Sequence, residues 1–160
     1  TTKYGMLAAR NTIINEARGK YLFLMDSDDY ISNDCIEILY NASEKYNTEA
    51  AYGSIQKVDD KDNYLEVIKH NSRIFDKDDE FATYANSIHK STITNFIWNI
   101  LILVDFIRKN NLQFPKTKLW EDVLFNAKFQ PLICRAVILS NITYFYVIRD
   151  YSLSSYEARN

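Results

Sequence analysis

Asp26-Ser27-Asp28 follows directly on the apolar run Tyr21-Leu22-Phe23-Leu24-Met25. Two carboxylates one residue apart on a turn can hold a hard divalent cation. That cation in turn binds a diphosphate and neutralises charge on a departing phosphate. The position suits such a role, because in open α/β sheets ligands bind beyond the carboxyl ends of strands. The alternative is a solvated turn in which Asp29 or Asp34 caps the next helix. A second D-x-D pattern lies in Asp76-Lys77-Asp78-Asp79-Glu80. No long apolar strand leads into it and a helix follows, so it reads as a solvated helix start. Asp59, Asp60 and Asp62 read as turn residues. His70 and His89 have no partner at ligand spacing and read as surface residues. With Cys35 and Cys134 far apart, these residues give no zinc-site pattern, and the cysteines read as free, buried thiols of a reducing compartment.

The elements that must position these groups follow from periodicity. Met6, Ala9, Ile13 and Ala17 recur at helical spacing, which predicts an amphipathic helix over about 5–18 with Gly19 as a left-handed stop. Tyr21–Met25 has the length and composition of a strand buried on both faces, as in a parallel sheet. Asp34 and Glu37 are spaced as a capping box for a helix ending near Tyr46-Asn47. Strands are predicted at 50–58, 64–68, 136–139 and 144–148. Phe96–Val104 is apolar and β-branched. Helices are predicted from about 80 towards His89, at 105–110 and at 121–129. Helix, strand, helix, strand at the start argues an α/β fold, and the later strands argue a mixed sheet. One doubly buried strand so early in the chain predicts parallel partners upstream of it.

With 160 residues, 47% apolar and 25% charged, the chain reads as one globular domain or a large piece of one. A net charge of -2 argues against nucleic acid as a partner, since such modules carry a basic face. Ile100–Val104 is far shorter than the roughly 20 apolar residues of a membrane span, so no transmembrane span is expected.

Gly5, Ala9-Arg10-Asn11, Ala17, Gly19, Tyr21 and Leu24-Met25-Asp26-Ser27-Asp28-Asp29 resemble the central signature of family 2 glycosyltransferases. Four further blocks follow in the family's order: Phe96-Ile97-Trp98-Asn99, Asn111-Leu112-Gln113-Phe114, Trp120-Glu121-Asp122-Val123-Leu124-Phe125, and Tyr144-Phe145-Tyr146 with Arg149, Ser152 and Ser154. The resemblance covers nearly the whole chain. It implies a GT-A fold, a Rossmann-like α/β/α sandwich with a mixed sheet. Residues 1–160 would form one partial domain, with the first strand, the nucleotide-binding loop and a second acidic loop lying before Thr1. On that expectation the piece by itself turns over little or no donor.

The resemblance also implies roles. Asp26 and Asp28 would hold a divalent cation, Mn or Mg, with Asp26 also near the nucleotide ribose. Arg10 would face the nucleotide, with an ion pair between helix and sheet as its alternative, and Asn11 would be structural. Arg149 would grip the sugar diphosphate through a bidentate fork, or serve in a structural ion pair. Asp122 would be the general base, with Glu121 as competitor and a capping role as alternative. Its place in the first turn of a helix favours the ionised carboxylate. Asn99 stands where relatives often carry Lys, which weakens a phosphate-binding role for that segment. Trp98 reads as core, while Trp120 reads equally as core or acceptor platform. The implied activity is inverting transfer of a sugar from a nucleotide diphosphate sugar to a glycan or lipid-linked acceptor in bacterial surface polysaccharide synthesis. The implied location is the cytoplasm, with peripheral association at the inner face of the membrane. A non-catalytic glycosyltransferase-like binding module and an Asp-cluster phosphotransfer enzyme are the rival readings. The intact acidic motif and Glu-Asp pair oppose the first, and 3 Gly with no phosphate-cradling loop oppose the second.

Overall fold

The computed structural model describes residues 3–87, 93, 96–117 and 120–149. The expectations for His89, Ser152 and Ser154 lie outside them. Helix α1 (Lys3–Glu16) leads into β1 (Tyr21–Phe23), and β2 (Tyr30–Ile31) follows the acidic turn. Next come α2 (Cys35–Tyr46), β3 (Ala50–Val58), β4 (Tyr64–Ile68), β5 (Arg73–Phe75) and α3 (Glu80–Ala85). After them lie β6 (Ile100–Leu103), α4 (Val104–Lys109), α5 (Glu121–Phe129), a 3-10 turn (Gln130–Leu132) and β7 (Ala136–Val147).

The strands form one mixed sheet in the order β1-β6-β3-β7-β2, with β4 added on β3 and β5 on β7. Among the described residues β3 and β7 are the only parallel pair. The strand buried along nearly its whole length is β3, with β6, β7 and α2 packed around it. Its alternate residues serve two cores. Ala50 and Tyr52 join the cluster of Phe75, Phe81, Phe125 and Phe129, while Ala51 faces Cys35, Leu39 and Ala42 of α2.

Several expectations are corrected here. The apolar run at Tyr21–Met25 gives a strand of three residues, half-buried and antiparallel to β6, rather than one buried on both faces among parallel partners. The run is apolar because Phe23 and Leu24 back onto two different cores as the chain leaves the sheet. Helix α1 ends at Glu16, and Gly19 does not adopt a left-handed conformation. Ile14 is buried and Ile13 exposed, because the inward face carries Arg10 and Asn11, which an apolar-periodicity argument discards. The capping box of α2 does not form; Asp34 instead accepts a bond from Ser32 Oγ (2.7 Å). Cys35 is buried but Cys134 is exposed. His70 is buried rather than at the surface. The remaining turn and decoy readings hold: Asp59 ties its own turn by accepting from the amides of Lys61 and Asn63, and Asp79 opens α3.

The two predicted strands at 136–139 and 144–148 are one strand with an irregular middle. From the pair Tyr52/Ile138 to the pair Ser54/Ile142, β3 advances two residues while β7 advances four. Extra residues of this kind bend and twist the strand that carries them. They re-aim the second half of β7 at the acidic turn. Gly53 is required at this point, since a Cβ there would lie 1.8 Å from Thr143 Oγ1. Thr143 cannot easily yield, because it is fully buried and donates to Asn99 Oδ1 at 2.6 Å. Gly53→Ala should therefore destabilise the protein by about 1–3 kcal/mol. Urea denaturation measures it, and an unchanged midpoint would refute the packing argument.

Candidate active site

The site is assembled around Arg10. Asn11 clamps α1 to the extended segment after α4, its Nδ2 donating to the Phe114 carbonyl (3.0 Å) and its Oδ1 accepting from the Phe114 amide (2.8 Å). That clamp sets the Phe114 ring beneath the Arg10 guanidinium, 5.2 Å from ring centre to carbon. So held, Arg10 donates from Nη1 to Asp122 Oδ1 and from Nη2 to Asp26 Oδ1 (3.3 Å). The Arg10 and Asp122 side chains are 12% and 19% exposed. One guanidinium thus joins the turn beyond β1 to the first turn of α5.

The acidic turn is fixed from its other side by β7 and the residues just after it. Arg149 donates from Nη1 to Asp28 Oδ2 (2.8 Å) and from Nη2 to the Asp28 carbonyl (3.1 Å). Both partners are about half exposed, and exposed pairs of this sort contribute little to stability and are readily displaced. Asp29 turns inward and is not a helix cap. Its Oδ2 accepts from Tyr144 Oη (2.7 Å) and its Oδ1 from the Val147 amide (2.9 Å).

Burial dominates the electrostatics. It pushes the Asp122 carboxyl up to about 6, against the opposing pull of Arg10 and with added push from Asp26 and Glu121. The terminal dipole, worth a few tenths to about 1 kcal/mol, favours the ionised form, but lost hydration outweighs it and sets the direction of the shift. Asp26 is also raised, first by burial, again with Arg10 opposing. The Asp122 carboxylate is engaged by Arg10. At pH 7 a carboxyl of pKa about 6 is still ionised in about nine of ten molecules. If Asp122 serves as a base it must be unprotonated, and activity that depends on it should be present above pH 6 and fall as pH drops through it. A pH–kcat profile of the full-length protein checks this, and a flat profile between pH 5 and 7 would exclude Asp122 as the titrating base.

Asp26 and Asp28 offer hard oxygen donors. They fit Mg²⁺ or Mn²⁺ of the kind that takes one or two carboxylates and completes its shell with phosphate oxygens and water. No group of three His, Cys, Asp or Glu that could hold a metal occurs among the described residues, so this donor set is not an all-protein cage. Asn99 is buried in a left-handed conformation (φ 60°), donating to the carbonyls of Gly53 (2.9 Å) and Ser54 (3.3 Å), and serves to pin the sheet. Trp98 is core, stacked between Phe96 and Tyr144 at 4.5 Å from each. Trp120 is 70% exposed in a left-handed conformation (φ 64°) at the N-cap of α5, which excludes it from the core. Sequence reasoning missed the inward turn of Asp29 and its partner Tyr144. The one signal was the aromatic block Tyr144-Phe145-Tyr146.

The fold is shared with known structures. The chain superposes on Staphylococcus aureus TarS residues 1–349 with a TM-score of 0.71 at 19% identity, covering 88% of this chain and 40% of that one. The same protein in complex with UDP-GlcNAc matches with a TM-score of 0.69 at 18% identity, over 89% and 38% of the two chains. The fold is that of the GT-A glycosyltransferases. Residues 1–107 match the family described as "Glycosyl transferase family 2", and the chain belongs to that family. Relatives include glycosyltransferase GlyA of Streptococcus pneumoniae, 31% identical over 94% of this chain and 22% of its own length. A cholesterol galactosyltransferase of Borreliella burgdorferi is 25% identical over 94% of this chain and 44% of its own length. The chain thus spans less than half the length of these relatives.

Proposed function

We propose that the full-length protein transfers a sugar from a nucleotide diphosphate sugar to an acceptor hydroxyl with inversion at the anomeric carbon. The observation that carries this reading is the junction at Arg10, which sets Asp26 of the acidic turn beside the buried carboxylate of Asp122. Inverting transfer needs a base on the acceptor side and charge stabilisation at the departing diphosphate, and these two groups supply that division. Asp122 takes the acceptor proton as the oxygen bonds to the anomeric carbon. The bond from that carbon to the diphosphate breaks on the opposite face, and its electron pair leaves with the nucleoside diphosphate. Asp26 and Asp28 would hold Mn²⁺ or Mg²⁺, which when bound neutralises the charge of that leaving group. Arg10 and Arg149 stand next to these carboxylates and would turn to the diphosphate.

A glycan or a lipid-linked acceptor of a bacterial cell surface is the acceptor class this reading favours, with the protein working at the cytoplasmic face of the membrane. The relatives named as glycosyltransferases support sugar transfer as the reaction. The test is a panel of nucleotide sugars offered to the full-length protein with and without Mn²⁺, with the product's anomeric configuration read by NMR. Metal-dependent transfer with inversion is expected. Retention of configuration, or no transfer from any donor, would overturn the reading.

A further inference from the structure

Asp29 is the third carboxylate of the turn, yet it is 9% exposed and both of its oxygens are occupied from β7. Its partner Tyr144 does two jobs with one hydroxyl. It donates to Asp29 Oδ2 (2.7 Å) and accepts from the Asp26 amide (3.2 Å). The Tyr144 ring is fully buried against Ile55 and lies on Trp98, with centroids 4.5 Å apart and planes 16° from parallel. Phe96 and Tyr146 stack on the same Trp98, so the hydroxyl is held by a rigid aromatic pile. The turn closes on itself as well, the Asp29 amide donating to the Asp26 carbonyl at 3.3 Å.

We propose that Asp29 and Tyr144 are positioning residues, a latch that fixes the backbone of the acidic turn and so holds Asp26 and Asp28 at one spacing. This rests on the assignment of Asp26 and Asp28 as the cation and diphosphate ligands. Three carboxylates in four residues repel one another, and an unrestrained turn would spread them. The latch takes one of the three inward, neutralises its demand for donors with a hydroxyl and an amide, and ties the amide of the first ligand residue to the same hydroxyl. Both ties come from the second half of β7, the part re-aimed by the strand's irregular middle. Groups that orient metal ligands typically change metal affinity by 10–100-fold when removed, without touching the metal.

Tyr144→Phe keeps the aromatic pile and deletes the hydroxyl. Asp29→Asn keeps the shape but sets an amide NH₂ against one of two donors, and gives a second route should the first variant fold poorly. In the full-length protein, Mn²⁺ binding in the presence of UDP is read by the Mn²⁺ EPR signal. Hydrogen exchange of the peptide spanning 22–31 is followed without metal. Each variant should bind Mn²⁺ about 10–100-fold more weakly and exchange the Asp26 amide faster, with the wild-type melting profile largely kept. Asp28→Asn runs alongside as the ligand control. If wild type binds Mn²⁺, Asp28→Asn does not, and both latch variants behave as wild type, the latch is refuted and the ligand assignment stands. If Asp28→Asn binds as wild type does, or wild type itself does not bind, the ligand assignment fails and the latch proposal falls with it. A lowered melting temperature with unchanged Mn²⁺ affinity of the folded molecules would show a purely structural role and also refute the proposal.

Discussion

Asp122→Asn in the full-length protein should lower kcat by about 10²–10⁴ while leaving donor affinity nearly unchanged, the loss expected when a positioned base is removed. The size of the effect follows from the surroundings. Asp122 is mostly buried, its pKa is raised to about 6, and a base works best when its pKa lies near the working pH. A merely structural Asp122 gives a different signature. Its loss would cut Arg10 from α5, lower the melting temperature and spare kcat per folded molecule. The linkage has a definite sign. The folded pKa lies above the ordinary value of 3.8, so the stability linked to this proton is fully present below 3.8 and lost as pH rises through about 6. At pH 7 the native state therefore carries a destabilising buried charge, which Asn removes, and Arg10 keeps Asp26 as a partner. Kinetics and melting should thus separate: a large fall in kcat with a small change in melting temperature. Glu121→Gln is the companion measurement, and an equal fall in kcat there would reassign the base.

Asp28→Asn should abolish metal-dependent binding of a nucleoside diphosphate, while Asp78→Asn leaves it intact. Both residues stand in D-x-D patterns. Asp28 lies on the turn beyond β1, where Arg149 engages its carboxylate and Asp26 stands two residues away. Asp78 lies just before α3, remote from that turn in sequence and beside Cys134. If Asp26 and Asp28 hold the cation, losing Asp28 should weaken Mn²⁺-dependent binding by more than the 10–100-fold typical of orienting groups. The pair with Arg149 is exposed, so its loss should barely move the melting temperature. Calorimetry with UDP and Mn²⁺ measures both variants. Equal effects at the two positions, or none at Asp28, would remove the metal assignment.

Much of the fold and of the site could be read from local chemistry. The bounds of β3, β4 and α5 coincide with their predicted ranges, because each is a run whose period matches its geometry and whose ends carry turn or helix-start residues. The decoy at Asp76–Glu80 was legible for the same reason, since α3 begins at Glu80. Helix α1 was placed but turned wrongly, because an apolar stripe was sought where the buried face carries Arg10 and Asn11. Burial of polar groups is decided by partners distant in sequence, and these two have theirs at Asp122 and Phe114.

By itself the sequence determined which groups are present and which local elements carry them. It gave the acidic turn after an apolar run, the Glu-Asp pair at a helix start, and ordered blocks that mark the family. Those features follow from short-range sterics, periodicity and residue chemistry, which need no knowledge of the rest of the chain. The tertiary structure decided what each carboxylate can do. Asp26, Asp28 and Asp29 are near-neighbours in sequence with the same intrinsic chemistry. Packing leaves two beside arginines, Asp28 exposed and Asp26 half-buried, and draws the third beneath Tyr144. Likewise it is burial that lifts Asp122 towards neutrality and Arg10 that brings it to Asp26. Hydration and ion pairing depend on three-dimensional neighbours, and for these residues those neighbours lie up to 121 positions away along the chain.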